Sequence, residues 1–180
     1  MSESIIEATD APLLPIRIYP DPVLRKVARP VTPADADEVR TLVPSLLATM
    51  YKAPGIGLAA TQVGNLLRVM VADVAPKDEE RNPIVLINPE IIAKSEETAT
   101  QQEGCLSIPD QYADVTRPAR VKLRYQDIQG KKKEIEADGL LSACLQHELD
   151  HLNGVLFVDY LSALKRNMLL RKLAKALKER

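Results

Sequence analysis

The sequence predicts an α+β fold in which antiparallel or mixed β-sheets surround one buried helix and a further helix ends the chain. Three observations lead there. Several short runs rich in Val, Leu and Ile are separated by turn residues rather than by crossover helices, which favours antiparallel pairing over βαβ repeats. Residues 39–50 and 169–177 repeat apolar side chains at intervals of three or four. Residues 139–151 do the same while carrying His147 and His151, both histidines of the chain, on one helical face.

The first twenty residues read as an irregular arm, because Pro12, Pro15, Pro20 and Pro22 oppose a helix and leave one short strand at most, at Ile16–Tyr19. Thr32 before Pro33 marks a helix start, with Asp35 placed at the positive end of the dipole. Val39, Leu42, Val43, Leu46, Leu47 and Met50 form its buried stripe, and Pro54-Gly55 ends it. Strands follow over 66–71 and 84–87. Asn88-Pro89 breaks the second, which 90–94 resume. Residues 121–125 and 131–135 flank the hairpin turn Asp127-Ile128-Gln129-Gly130. Asp138 caps a helix over 139–151 that Asn153-Gly154 stops. Since Leu141, Cys144, Leu145 and Leu149 interleave with the histidines, this helix belongs inside the fold. Ser162 caps a last helix through Leu177, striped by Leu169, Leu173 and Leu177.

A mass of 19.9 kDa with 46% apolar residues suits a single domain over 1–180, and neither repeats nor linker-like regions divide it. With Trp absent and Phe157 the only Phe, the core must be aliphatic. Two cysteines are too few for a disulfide framework, so a reducing, cytoplasmic setting is expected. Met1-Ser2-Glu3-Ser4 lacks the basic-then-apolar start of a secretory signal, and no apolar run is long enough to span a bilayer. Nothing points to DNA. Residues 161–180 hold seven Lys or Arg against one acid in a chain of net charge −1. A solvated helix face is the plain reading of that excess, and contact with ribosomal RNA the sharper one.

Gln146-His147-Glu148-Leu149-Asp150-His151 places two imidazoles one turn apart with a carboxylate beside the first, the arrangement of a metallohydrolase. An open catalytic site needs one more protein ligand. Cys105 is the strongest candidate, since its thiolate suits zinc or ferrous iron and Gly104 and Pro109 can fix its loop or strand end near the helix. Cys144 reads as a packed core residue bordering the cavity. Glu148 is not a ligand; it is placed to take a proton from a bound water and return it to a leaving nitrogen. Leu140 and Cys144 precede His147 by seven and three residues, so both fall on its side of the helix and can line an apolar slot. In Gly55-Ile56-Gly57-Leu58-Ala59-Ala60-Thr61-Gln62 the glycines permit close backbone approach to an extended peptide, while Gln62 offers an amide donor to a carbonyl oxygen gaining negative charge. A tight turn leading into a buried Ala-rich element explains that segment equally well. These residues alone leave three further readings open: a peptide-bond-cleaving metallopeptidase, a closed structural metal clip, and a nonenzymatic metal-stabilised interaction module.

Gly55–Gln62, Glu103-Gly104-Cys105-Leu106-Ser107 and Gln146–His151 together resemble the three signature motifs of peptide deformylases, in order and with fitting separations. The resemblance extends through Asp138-Gly139-Leu140-Leu141 and Gly154-Val155-Leu156-Phe157, over about residues 14–170, and the terminal helix is similar to that of the bacterial and organellar branch. It implies one Fe(II) ion, replaceable by Zn(II) or Ni(II), held by Cys105, His147 and His151. Glu148 would be general base and then acid, with Gln62 and the backbone N–H of Leu106 stabilising the oxyanion. Backbone groups of Ile56, Gly57 and Gly104 would bind the peptide, and Ala143 would join Leu140 and Cys144 around the methionine side chain. Glu103, pairing with Arg117, would orient the ligands. The implied substrates are formyl-methionyl nascent peptides, cut to formate and a free amine.

Overall fold

The computed structural model describes residues 10–180. Among these residues the α-helices are α1 (Ala36–Lys52), α2 (Gly139–Leu152) and α3 (Ala163–Lys178). The strands are β1 (Gly57–Ala59), β2 (Val69–Ala72), β3 (Ile84–Lys94), β4 (Thr98–Cys105), β5 (Ile108–Pro118), β6 (Val121–Gln126) and β7 (Lys132–Ala137). Every ladder between them is antiparallel. One sheet runs β1-β2-β3-β6-β7, and β4 and β5 form a separate two-stranded hairpin.

Alternation along β2 explains why helices lie on both faces of the large sheet. Val69 and Val71 point into a cluster with Val43, Leu46 and Met50 of α1. Met70 and Ala72 point the other way, to Leu145, Leu149 and Leu152 of α2. A third cluster joins Leu24, Ile108 and Phe157 to Leu169 and Leu173, so the stripe of α3 packs against the β4–β5 side. Leu177 is partly buried there. Ser162 caps α3 by accepting from Lys165 N at 3.2 Å.

Several boundaries differ from the sequence reading. Asn88-Pro89 does not break β3; it forms a bulge, with Asn88 at φ 52° and its amide exchanging two hydrogen bonds with Val31 at 2.8 and 3.0 Å. Thr32-Pro33 opens a 3-10 turn over Pro33–Asp35, and α1 begins only at Ala36, because the Asp35 carboxylate turns back to accept from Thr32 N at 2.8 Å and to pair with Arg29. Asp138 occupies the N-cap of α2, but its side chain makes no capping bond. Residues 66–68 precede β2, held by an Asx turn in which Leu67 N donates to Asn65. Ile16–Tyr19 forms no strand; Arg17 N and Tyr19 N bond to Gln62 O and Ser107 O across two different segments. The β6–β7 hairpin matches, its turn closed by Asp127 Oδ1 accepting from Gln129 N and Lys131 N, with Gly130 at φ 83°. Among the described residues no helix is long and apolar enough to cross a membrane.

Candidate metal centre and active-site cleft

Cys105 ends β4, and α2 passes it with His147 and His151 one turn apart. His151 Nε2 lies 3.3 Å from Cys105 Sγ and 3.1 Å from His147 Nε2, and the three donor atoms all fall within 4.8 Å of one another. Both imidazoles are buried. The Glu103 carboxylate sets the tautomer of His147, its Oε1 lying 2.9 Å from Nδ1. Burial pushes Glu103 up, but His147 and Arg117 outweigh it and hold the carboxyl below its ordinary range. A carboxylate only accepts, so Nδ1 carries a hydrogen, which leaves Nε2 as the ring atom that can offer a lone pair to a cation. Arg117 grips the same carboxylate with Nε and Nη2 at 2.7 and 2.9 Å and extends Nη1 to Asp150 at 2.8 Å.

This donor set fits a cation. Bonds of about 2.05 Å to nitrogen and 2.3 Å to sulfur in a tetrahedron place neighbouring donors about 3.3 Å (N to N) and 3.6 Å (N to S) apart. The separations of 3.1 and 3.3 Å lie a few tenths of an ångström inside those edges. Two imidazole nitrogens and a sulfur converge there, and besides Glu103 a second carboxylate lines the same cleft.

That carboxylate, Glu148, is 4% exposed, and among the described residues its Oε2 has no hydrogen-bond partner. Burial, opposed by His147, pushes its pKa up to about 7. Gly57 makes its seat, since a Cβ there would lie 2.7 Å from Glu148 Oε1 and 2.9 Å from Cys144 Sγ. Gln62 closes the other side: Oε1 accepts from Ala59 N at 3.0 Å, while Nε2 donates to Ser107 Oγ at 3.1 Å and sits 3.6 Å from Cys105 Sγ.

These groups surround a cleft of about 780 Å³, within the range of small-ligand sites. Ile56, Gly57, Gln62, Glu103, Gly104, Cys105, Leu106, Leu140, Ala143, Cys144, His147 and Glu148 all line it. Of the residues singled out in the sequence, only His151 and Arg117 stand behind the wall, reaching it through Cys105 and Glu103. Leu140 is half exposed at the rim, whereas Ala143 and Cys144 are buried deeper; the Cys144 thiol donates to Ile56 O at 3.5 Å, and burial raises its pKa. Sequence reasoning missed Ser107, which holds the Gln62 amide, and Asp150, which holds Arg117. It also missed Ile16 and Ile18, which the arm lays along the wall. Asp150 stands inside the histidine motif, but nothing in the sequence pairs it with residue 117.

A cysteine sulfur, two imidazoles and a buried acid at the floor of an open cleft define the class: a metal-dependent hydrolase. The comparisons narrow it. The polypeptide deformylase family model matches residues 13–167. The chain is 55% identical over 166 residues to a peptide deformylase of Rhizobium meliloti, covering 92% of this chain and 95% of that one. A Mesorhizobium japonicum peptide deformylase is 54% identical over 169 residues, with 94% and 96% covered. The crystal structure of a Legionella pneumophila peptide deformylase superposes with a TM-score of 0.86 at 45% identity, covering 93% of this chain and 96% of that one. That of a Synechococcus elongatus peptide deformylase in complex with actinonin gives 0.84 at 47%, covering 91% and 89%. The chain belongs to the polypeptide deformylase family, hydrolases that remove the formyl group from the N-terminal methionine of nascent polypeptides.

Proposed function

We propose that Cys105, His147 and His151 hold one divalent ion, Fe(II) in the cell with Zn(II) or Ni(II) able to replace it, and that Glu148 moves the proton in the hydrolysis of formyl-methionyl peptides. The observation that carries this reading is the buried, unpartnered Oε2 of Glu148, on a side chain that lines the cleft beside a ligand. An ion bound there supplies Lewis-acid polarisation and brings the pKa of water toward neutrality. Glu148 accepts the proton of the attacking water and delivers it to the methionine nitrogen as the C–N bond breaks, so that formate and a free amine leave. Gln62 Nε2 and the Leu106 N–H face the formyl oxygen as negative charge gathers on it. The bond from Ala59 N to Gln62 Oε1 keeps the donor end of that amide turned toward Cys105.

β1 is the end strand of the large sheet, and Gly104 of β4 lines the same cleft. An extended peptide lying between them gains backbone hydrogen bonds from Ile56, Gly57 and Gly104 whatever its side chains. Leu140, Ala143 and Cys144 surround the unbranched methionine side chain. Glu103, locked by Arg117, keeps the His147 ring turned toward the ion. Residues 1–180 act as one catalytic unit in the cytoplasm, and the exposed Lys165, Arg171, Lys172 and Lys175 of α3 contact ribosomal RNA. Reversing those charges tests the contact better than truncation, because Leu169 and Leu173 belong to the core.

Formyl-methionyl peptide and its unformylated counterpart, incubated separately with metal-loaded protein, test the chemistry. Formate is expected from the first, with the internal bonds of both intact. Cleavage of an internal bond without formate would replace this reading by a peptidase.

A further inference from the structure

The hydrogen bonds that begin at His147 do not end at Arg117. Glu103 and Asp150 together occupy Nε, Nη1 and Nη2 of its guanidinium. Asp150 Oδ2 accepts a second bond, from the Tyr160 hydroxyl at 2.7 Å. The Tyr160 ring also lies against that guanidinium, 4.6 Å from Cζ to the ring centre. Tyr160 closes the short turn Phe157–Tyr160 and is 49% exposed, so it contributes little to the core. An O–H to carboxylate bond at such a site adds little to folding, because water competes for both partners. Its geometric consequence is larger. With the hydroxyl in place the Asp150 carboxylate keeps one rotamer, Arg117 keeps its third anchor, and the plane of the Glu103 carboxylate, on which the His147 ring orientation depends, stays fixed.

We infer that Tyr160 is a positioning residue for His147, acting from the protein surface through Asp150, Arg117 and Glu103. The inference rests on the reading of Cys105, His147 and His151 as metal ligands. Outer partners of metal-bound imidazoles typically change metal affinity about 10- to 100-fold when removed, and Tyr160 stands two links further out. Tyr160→Phe keeps the ring over the guanidinium and deletes only the hydroxyl.

The test loads wild-type and variant proteins with cobalt(II), then follows the cobalt absorption bands and their decay after addition of a chelator. Tyr160→Phe is expected to shift the bands and to release the ion about 3- to 10-fold faster, with the melting midpoint of the metal-free protein unchanged. In an Arg117→Lys background the same substitution should change the release rate by less than about twofold, because the link it acts through is gone. Asp150→Ala, which removes the oxygen that accepts from both Tyr160 and Arg117, serves as that background where the lysine variant does not fold. A release rate equal to wild type, or the same acceleration in either background, overturns the inference. Wild-type protein that binds no cobalt(II) overturns the ligand reading instead, so the two failures are distinguishable.

Discussion

Gly57→Ala is the smallest change that tests whether the placement of Glu148 matters. The added Cβ would stand 2.7 Å from Glu148 Oε1, 2.8 Å from its Cγ and 2.9 Å from Cys144 Sγ. Ordinary contact begins near 3.4 Å, so the carboxylate must retreat by about 0.7 Å or the strand must move with it. A displacement approaching 1 Å at a catalytic group costs about 100-fold in rate, or about 2.7 kcal/mol of transition-state stabilisation. Gly57 has no left-handed φ, so alanine suits the backbone and the perturbation stays in the cleft. Overpacking should lower stability by about 1–3 kcal/mol, which a denaturant titration measures separately. The assay is formate release from a formyl-methionyl peptide, with metal content determined on the same sample. Folded, metal-loaded Gly57→Ala with kcat/KM within threefold of wild type would refute the reasoning, because Glu148 would then be acting from a position the methyl group cannot disturb.

Glu148→Ala should fold and keep its metal while losing at least about 100-fold in kcat; comparable activity removes its acid–base role. Stripping the metal with a chelator should abolish formate release and, for an ion present at a thousandfold its Kd, remove about 4 kcal/mol of stability, seen as a melting point lower by about 10 °C. Leu145→Ala, at a fully buried core position, should cost about 2–5 kcal/mol; Leu140→Ala, at the cleft rim, should instead raise KM with little change in melting. Burial pushes Asp159 up, but Arg25 and the Leu156 N–H lower it more, leaving it below its ordinary range. Its stabilisation is therefore complete above the ordinary aspartate value of about 3.9 and is lost as pH falls through the folded value. Asp159→Asn should flatten the loss of stability as pH falls below about 4, and an unchanged acid limb would show that the pair with Arg25 contributes nothing there.

What the sequence made legible was whatever a local period or a motif encodes. The α1 stripe, the α2 and α3 faces and the β6–β7 turn each write their burial into consecutive residues, and the metal-donor residues together with part of the cleft wall fall in three short motifs. The β4–β5 hairpin stayed hidden. Thr98–Cys105 is mostly polar and has only Glu103 buried, so no apolar alternation marks it as a strand. Its pairing depends on partners such as Thr100 and Thr116, whose hydroxyls meet at 2.7 Å across the ladder. β3 was cut in two because Asn-Pro reads locally as a stop, whereas Val31, 57 residues away, satisfies the Asn88 amide and turns the stop into a bulge. The partners of Arg117 were half legible for the same reason: contacts between segments leave no periodic trace in either one.

The division of faces on α2 explains how a buried helix can carry chemistry without losing its core. At 100° per residue, Leu140, Cys144, His147, Glu148 and His151 fall within an arc of about 100°, and Leu145, Leu149 and Leu152 within another of about 60°, their centres roughly 120° apart. The first arc faces the cleft and the donor atoms; the second packs on β2, β3 and β6. Asp150 occupies the remaining sector, facing Arg117. Each sector is held by a different part of the chain, so rotating α2 to relieve strain in one displaces the other two. The histidines are thus oriented by the hydrophobic packing of Leu145 and Leu149 as much as by Glu103, and a substitution that leaves the core loosely packed should weaken metal binding before it unfolds the protein. Leu149→Ala tests this: faster metal release at temperatures where the metal-free variant is still fully folded supports the coupling, and release that changes only when the fold melts rejects it.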